Sequence, residues 1–359
     1  MARVIIEQQH RCQWLLDFSK DPELPTKDYE AFILNIDTDC LAEAELINFS
    51  DSGALVAIGS SRLEREDLLK VSFPQQADLY VGPGVSAPHP VPGLVHSLEV
   101  GLSIDPSRRA DDGAFPECKI NFHSGRSHSG RGIMIPYGRG LAALDGGMLG
   151  TVIRWDTFLR KYALHDPHPG VLFRGQPDSQ MGLMPKYFRK NPSGEIKTRF
   201  TPHLRHVMSL SDSSDRDSGL IKLAELQHKG DPTMILDWTE SPLVAAYFAL
   251  SSQPHGREGY VRVFQMDVGS YRHDSPDFFD KRLLTFFAAG ELKDADASRR
   301  AKAQRSHFSF NKLRHISVNL PTPTPLRYCW DIPKEERPIA LADLERRFGI
   351  SARTLCLDG

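Results

Sequence analysis

Apolar residues in the first 122 positions fall in short runs broken by turn-forming residues. "AELINFSDSGALVAIGS" (residues 44–60) is an apolar run, an Asp-Ser-Gly turn and a second apolar run. That is the pattern of a β-hairpin. "DLYVGPG", "HSLEVGLSI" and "CKINFH" are further short stretches with partial alternation, separated by Gly, Pro and Ser. Turn signals at such intervals predict a β-rich domain over residues 1–145, a sandwich or small barrel. Residues 123–150, "HSGRSHSGRGIMIPYGRGLAALDGGMLG", are glycine-rich and carry two Ser-Gly-Arg units. They predict a linker or long exposed loop. Lacking Gly-Lys-Ser/Thr, they are not a P-loop.

From residue 151 the period changes. "TVIRWDTFLRKY" places Val152, Trp155, Phe158 and Leu159 at helical spacing. "VLFRGQ" predicts a short strand ending in charge, and residues 209–219 a polar surface loop. Residues 220–228 resume as helix, "GYVRVFQMDV" alternates as a strand, and 291–305 predict a charged helix followed by "HFSFNKL". "LADLERRFGI" is an amphipathic helix with Gly349 as its stop. "GDPTMILDWTESPLVAAYFA" (230–249) reads as a turn, an apolar strand, a polar loop and a helix. Ser241 sits at the N-cap and Pro242 at the first helical position, where its missing N–H costs nothing. The pattern predicts an α+β chain, with a mixed α/β domain at 151–359 behind the β-rich one.

Composition adds bounds. A chain that is 40% hydrophobic and 25% charged is ordinary for a soluble globular protein. No apolar run approaches the roughly 20 residues that span a bilayer. Glu7 to His10 end the first apolar run too early for a signal peptide. A cytoplasmic protein without a membrane partner is expected. The five cysteines are scattered and include no CxxC, which argues against a disulfide framework or zinc cluster. "HLRH" (203–206) has ligand spacing but no further ligands, so no metal is expected. Residues 1–150 hold 13 basic and 21 acidic residues (net −8), and 151–359 hold 31 and 25 (net +6). The basic back half suits an anionic ligand or docking to the front half, although ordinary scatter also accounts for the difference.

Three places carry candidate chemistry. At Arg174-Gly175-Gln176, an arginine able to fork onto phosphate or ribose oxygens precedes a glycine that would let a flat ligand reach the backbone. Asp237, Trp238, Thr239 and Ser241 cluster at a helix N-terminus, whose partial positive charge and free N–H groups favour anions. Gln304 follows a basic helix and could bond a sugar hydroxyl. His228, Asp237 and Ser241 have the makeup of a hydrolase triad. There is no G-x-S-x-G elbow, however, and a cap explains Ser241 better.

"FRG", "LAELQHKGDPTMILDWTESPLVAAYFAL" and "AQRSHFSF" occur in that order. Together they resemble the FRG domain family over about residues 151–359. Gln227, His228, Gly230, Pro232, Thr233, Leu236, Asp237, Trp238, Thr239, Ser241, Pro242, Ala245 and Phe248 match its middle signature. Met234 stands where the family commonly has Arg, and Ser306 where a Gly often follows the Gln. The order of motifs is also similar, more distantly, to ADP-ribosyltransferases of the Arg-Ser-Glu type. That resemblance implies a split β-sheet with helices and NAD as substrate. The acceptor would be a macromolecule, protein or nucleic acid, and the role that of a bacterial toxin or anti-phage effector. It implies Arg174, Thr239 and Gln304 as catalytic residues. Arg174, Gly175, Gln176, His228, Asp237, Trp238 and Ser241 would hold NAD. Gln304 takes the position of the family's Glu without its charge, which Asp237, Glu240 or Glu291 could supply instead. A nucleotide-binding sensor without catalysis and a plain interaction module are the competing readings.

Overall fold

The computed structural model describes residues 12–17, 31–36, 44–50, 53–65, 68–72, 77–80, 86–89, 95–101, 117–122, 125–136, 150–164, 170–179, 182–188, 218–252, 259–269, 284–288, 292, 294–311 and 326–357. "HLRH", the polar stretch 209–217, the glycine-rich residues 137–149 and Glu291 lie outside the described residues.

Ten strands from the front of the chain pair with one another. They are β1 (Cys12–Asp17), β2 (Ala31–Ile36), β3 (Ala44–Ser50), β4 (Gly53–Arg65), β5 (Leu68–Ser72), β6 (Ala77–Tyr80), β7 (Ser86–His89), β8 (Val95–Gly101), β9 (Glu117–Phe122) and β10 (Ser127–Pro136). The expected hairpin is β3–β4, closed at Ser50 opposite Gly53. The sequence β1-β2-β3-β4-β5-β8-β9-β10 returns to β1, a closed antiparallel circuit of the small-barrel kind. β4 makes the closure possible by its length. Its first half faces β3 and its second half faces β5, with a register shift between Leu63 and Arg65. Such shifts bend a strand and increase its twist.

One expectation is corrected here. The first half of the glycine-rich stretch is not a linker. Ser127–Pro136 is a ten-residue strand between β1 and β9. Its first half pairs with β9 and its second with β1, and this pairing offsets the entropic cost of Gly130, opposite Cys118, and of Gly132, opposite Leu16.

The back of the chain forms a seven-stranded sheet. Its strands are β11 (Thr151–Val152), β12 (Val171–Gln176), β13 (Ile235–Thr239), β14 (Tyr260–Asp267), β15 (Leu284–Ala288), β16 (Ser306–Asn311) and β17 (Leu326–Pro333), ordered β11-β17-β14-β12-β13-β16-β15. All neighbours are antiparallel except β11 and β17. Five α-helices among the described residues accompany it: α1 (Trp155–Tyr162), α2 (Ser218–His228), α3 (Pro242–Ser251), α4 (Ala295–Gln304) and α5 (Arg337–Phe348). The chain is thus α+β. Val152, expected on the face of α1, lies instead in β11 and is 58% exposed.

Alternation along β12 feeds a core on each face of the sheet. Phe173 packs with Ala245, Ala246 and Ala249 of α3 and with Val261, Val263 and Trp330. Leu172 packs on the other side with Leu236, Trp238, Phe264, Met266 and Phe286. α3 buries residues on every side, as an apolar helix covered by sheet and by α5 must. Ser241 caps it by accepting from Val244 N at 3.3 Å, with Pro242 following. At the end of α5, Gly349 takes φ +66° and its N–H bonds back to Glu345 O, the stop its position predicts.

Candidate functional site

The site begins where the ladder fails. β12 and β13 are paired at one position, Phe173 opposite Thr239, and then part. A β13 carbonyl facing the gap needs another donor, because a buried backbone oxygen is costly to leave unbonded. Arg174 supplies it. Alternation starts its side chain on the face opposite Phe173, and its guanidinium fills the slot, with Nη1 donating to Asp237 O at 2.5 Å. The same Nη1 lies 3.8 Å from Asp237 Oδ2, and the Arg174 side chain is only 13% exposed. Burial presses the Arg174 pKa down, and the Asp237 carboxylate works against it. Nε of this guanidinium is buried with no hydrogen-bond partner.

Asp237 is held from its other side. Gln227 Nε2 donates to Oδ2 at 3.1 Å, and Thr233 Oγ1 donates to Gln227 Oε1 at 2.5 Å. Oδ1 is buried and unpartnered. His228 ends α2 beside this carboxylate, with its ring edge-on to Phe308 at 5.6 Å between centroids. Burial lowers the His228 pKa, Asp237 and Asp294 oppose that shift, and Arg300 reinforces it. Arg300 is fixed by two carbonyls: its Nη1 donates to His228 O and its Nε to Cys356 O, both at 3.1 Å. Lys186 donates to Gly230 O in the turn between α2 and β13.

The remaining candidates do other work. Gly175 faces α3: a Cβ there would meet Ala245 O at 1.9 Å and Ala249 N at 2.7 Å. Its missing side chain is explained by the packing of strand on helix, not by a ligand. Trp238 is a core residue, 2% exposed, edge-on to Phe286, with its indole N–H donating to Ser309 Oγ at 2.9 Å. Thr239 Oγ1 donates to Gln304 O at 2.7 Å and accepts from Ser241 N at 3.1 Å. Its hydroxyl therefore ties β13 to α4. Gln304 is 7% exposed, and its amide donates to Leu355 O at 3.1 Å. Gln176 follows Arg174 on the same face of β12, 3% exposed, with Nε2 unpartnered. Glu240, a candidate acid, is paired with His307 Nε2 at 2.8 Å.

The predicted residues thus come together in two groups. Arg174, Asp237 and His228, with Gln227 and Thr233, form a polar cluster with unspent hydrogen-bonding capacity. Thr239, Ser241 and Gln304 form a second group whose bonds are committed to capping and tying. Sequence reasoning missed Arg300 and the Thr233–Gln227 relay. Gln227 and Thr233 were visible as matches in the "LQHKGDPT" stretch. Nothing local marks Arg300, whose partners are 72 and 56 residues away. The arrangement can present a permanent cation, a carboxylate oxygen and an imidazole to one ligand.

Residues 169–258 match the family model of the FRG domain. The match covers β12, α2, β13 and α3, and hence the Arg174–Asp237–His228 cluster, and it ends before α4 and Gln304. No curated protein and no solved structure matches the chain. No helix among the described residues is long and apolar enough to cross a membrane.

Proposed function

We propose that the Arg174–Asp237 cluster at the β12–β13 seam binds NAD, and that the chain is an NAD-dependent ADP-ribosyltransferase or an NAD glycohydrolase using the same residues. One observation carries the reading: a buried guanidinium with an unused Nε–H stands beside the Asp237 carboxylate, whose Oδ1 is also without a partner. Buried polar atoms left unbonded cost about 1–3 kcal/mol each, so their pairing in a slot is a reason to look for a ligand. A sugar phosphate complements both, with phosphate or ribose oxygens accepting from Arg174 and a hydroxyl donating to Asp237. Of the two candidate acids among the described residues, Asp237 is the one beside the anchor, half-exposed and with one oxygen unpartnered. In this reading it faces positive charge developing on the nicotinamide ribose, where preorganised charge counts most.

The test is nicotinamide release from NAD by the purified chain, with ADP-ribose affinity measured alongside. Arg174→Ala removes a charge-assisted contact worth about 1.5–3 kcal/mol, so ADP-ribose affinity should fall about tenfold to a hundredfold. Unchanged affinity would refute the site. A second reading, nucleotide binding without catalysis, is favoured by the commitment of Gln304 and Thr239 to structural bonds. It predicts thermal stabilisation by NAD or ADP-ribose with no nicotinamide released.

A further inference from the structure

His228 Nε2 is buried beside Asp237 and has no hydrogen-bond partner. A sugar phosphate anchored by Arg174 and Asp237 would leave it unused. Yet the residue is held at its ring, its helix and its carbonyl. It sits on Phe308 of β16, it ends the helix whose previous residue grips Asp237, and its carbonyl is clamped by Arg300. The clamp also reaches Cys356 O, so α4 and the C-terminal segment both fix this histidine. A buried imidazole on a fixed backbone, with a ring nitrogen left over, is able to take a proton.

We propose that His228 is the general base that takes the proton from the nucleophile attacking the nicotinamide ribose; this rests on the NAD reading above. The bond between ribose C1′ and the nicotinamide nitrogen breaks, and its electron pair returns to the ring nitrogen, which becomes neutral. The acceptor's oxygen bonds to C1′, and its proton passes to His228 Nε2 and on to solvent. NAD and an O–H acceptor become nicotinamide, an ADP-ribosylated product and one proton, with no further reactant. The acceptor class proposed is a hydroxyl, of water or of a macromolecule, a neutral nucleophile whose proton a neutral imidazole can take.

The imidazole has to be neutral to act. The groups facing it are Asp237 from β13, Asp294 at the N-cap of α4 and Arg300 from α4, with Lys229 next in the chain and 3.6 Å from Asp294. Burial outweighs the two acids and holds the pKa below its usual value. The base form is present at pH 7 and is lost only in acid.

The experiment measures nicotinamide release from pH 5 to 8.5 and ADP-ribose binding, on the full chain as wild type, His228→Gln and His228→Ala. Wild-type turnover should fall on the acid side with a single ionisation below about pH 6.5. His228→Gln should lose about 10²- to 10⁴-fold in turnover and lose the acid limb, with ADP-ribose affinity within about threefold. Added imidazole should restore part of the turnover of His228→Ala. Wild-type turnover with no acid limb overturns the proposal without any variant, which guards against a substitution that fails to fold. Full turnover by a folded His228→Gln overturns it and leaves the NAD reading standing. A wild type that binds ADP-ribose but releases no nicotinamide, with or without added protein and nucleic-acid acceptors, overturns this proposal and the enzyme reading together and leaves nucleotide binding without catalysis.

Discussion

Gln304→Glu puts the two views of residue 304 in opposition. The resemblance to Arg-Ser-Glu enzymes makes it a gain, since it supplies the carboxylate those enzymes use. The geometry makes it a loss. Gln304 is 7% exposed, its amide donates to Leu355 O at 3.1 Å, and Leu355 is itself 3% exposed in the core. A carboxylate at 304 would set an acceptor against an acceptor in a buried site. Its pKa in the folded chain would rise above the ordinary value of about 4.3. The native state then binds the proton more tightly than the unfolded one, so stability falls as pH rises from about 4.3 to the raised value and stays low above it. A rise of about two units corresponds to roughly 3 kcal/mol at neutral pH. At about 2–4 °C per kcal/mol for a domain of this size, the melting temperature should drop about 6–12 °C at pH 7.5. Below about pH 4.5 the neutral acid can donate to Leu355 O, and the deficit should nearly vanish. Thermal melts of wild type and variant across that range test this. A variant within about 2 °C of wild type at pH 7.5 would refute the reasoning, as would a deficit independent of pH.

Two further substitutions separate packing from binding. Gly175→Ala drives a methyl into the backbone of α3 at 1.9 Å from Ala245 O, and should cost about 3 kcal/mol or more, read as a lower melting temperature. Trp238→Phe removes the bond to the fully buried Ser309 and should cost about 1–3 kcal/mol in a chemical melt, while ADP-ribose affinity stays within about twofold.

What the sequence showed, and what it hid, follows from how far each cause lies along the chain. Ser241-Pro242 announced α3 because a cap and its helix are neighbours, and Asp51-Ser52 announced β3–β4 for the same reason. β10 was hidden because glycine speaks locally for a loop, while the strands that hold Ser127–Pro136 straight belong to residues 12–17 and 117–122. Arg174 and Asp237 were legible as a pair from their motifs. The gap that joins them was not, because a ladder ending after one rung leaves no mark in either strand. Gly175 was singled out for a true reason, a close approach, but the approaching body is α3 and not a ligand. Gln304 misled most. Its partner lies 51 residues further on, in a segment whose sequence gives no sign of reaching back.

The single rung between Phe173 and Thr239 has a mechanical meaning. A sheet gains its stiffness from many cross-links acting together. Here β17-β14-β12 and β13-β16-β15 share a single ladder pair, and the Arg174 guanidinium adds a side-chain cross-link to that seam. An anion that draws the guanidinium away from Asp237 O would loosen the seam at the spot it occupies. Amide exchange along Ile235–Thr239 would then quicken on binding, the reverse of the protection a ligand ordinarily confers on the strands around it.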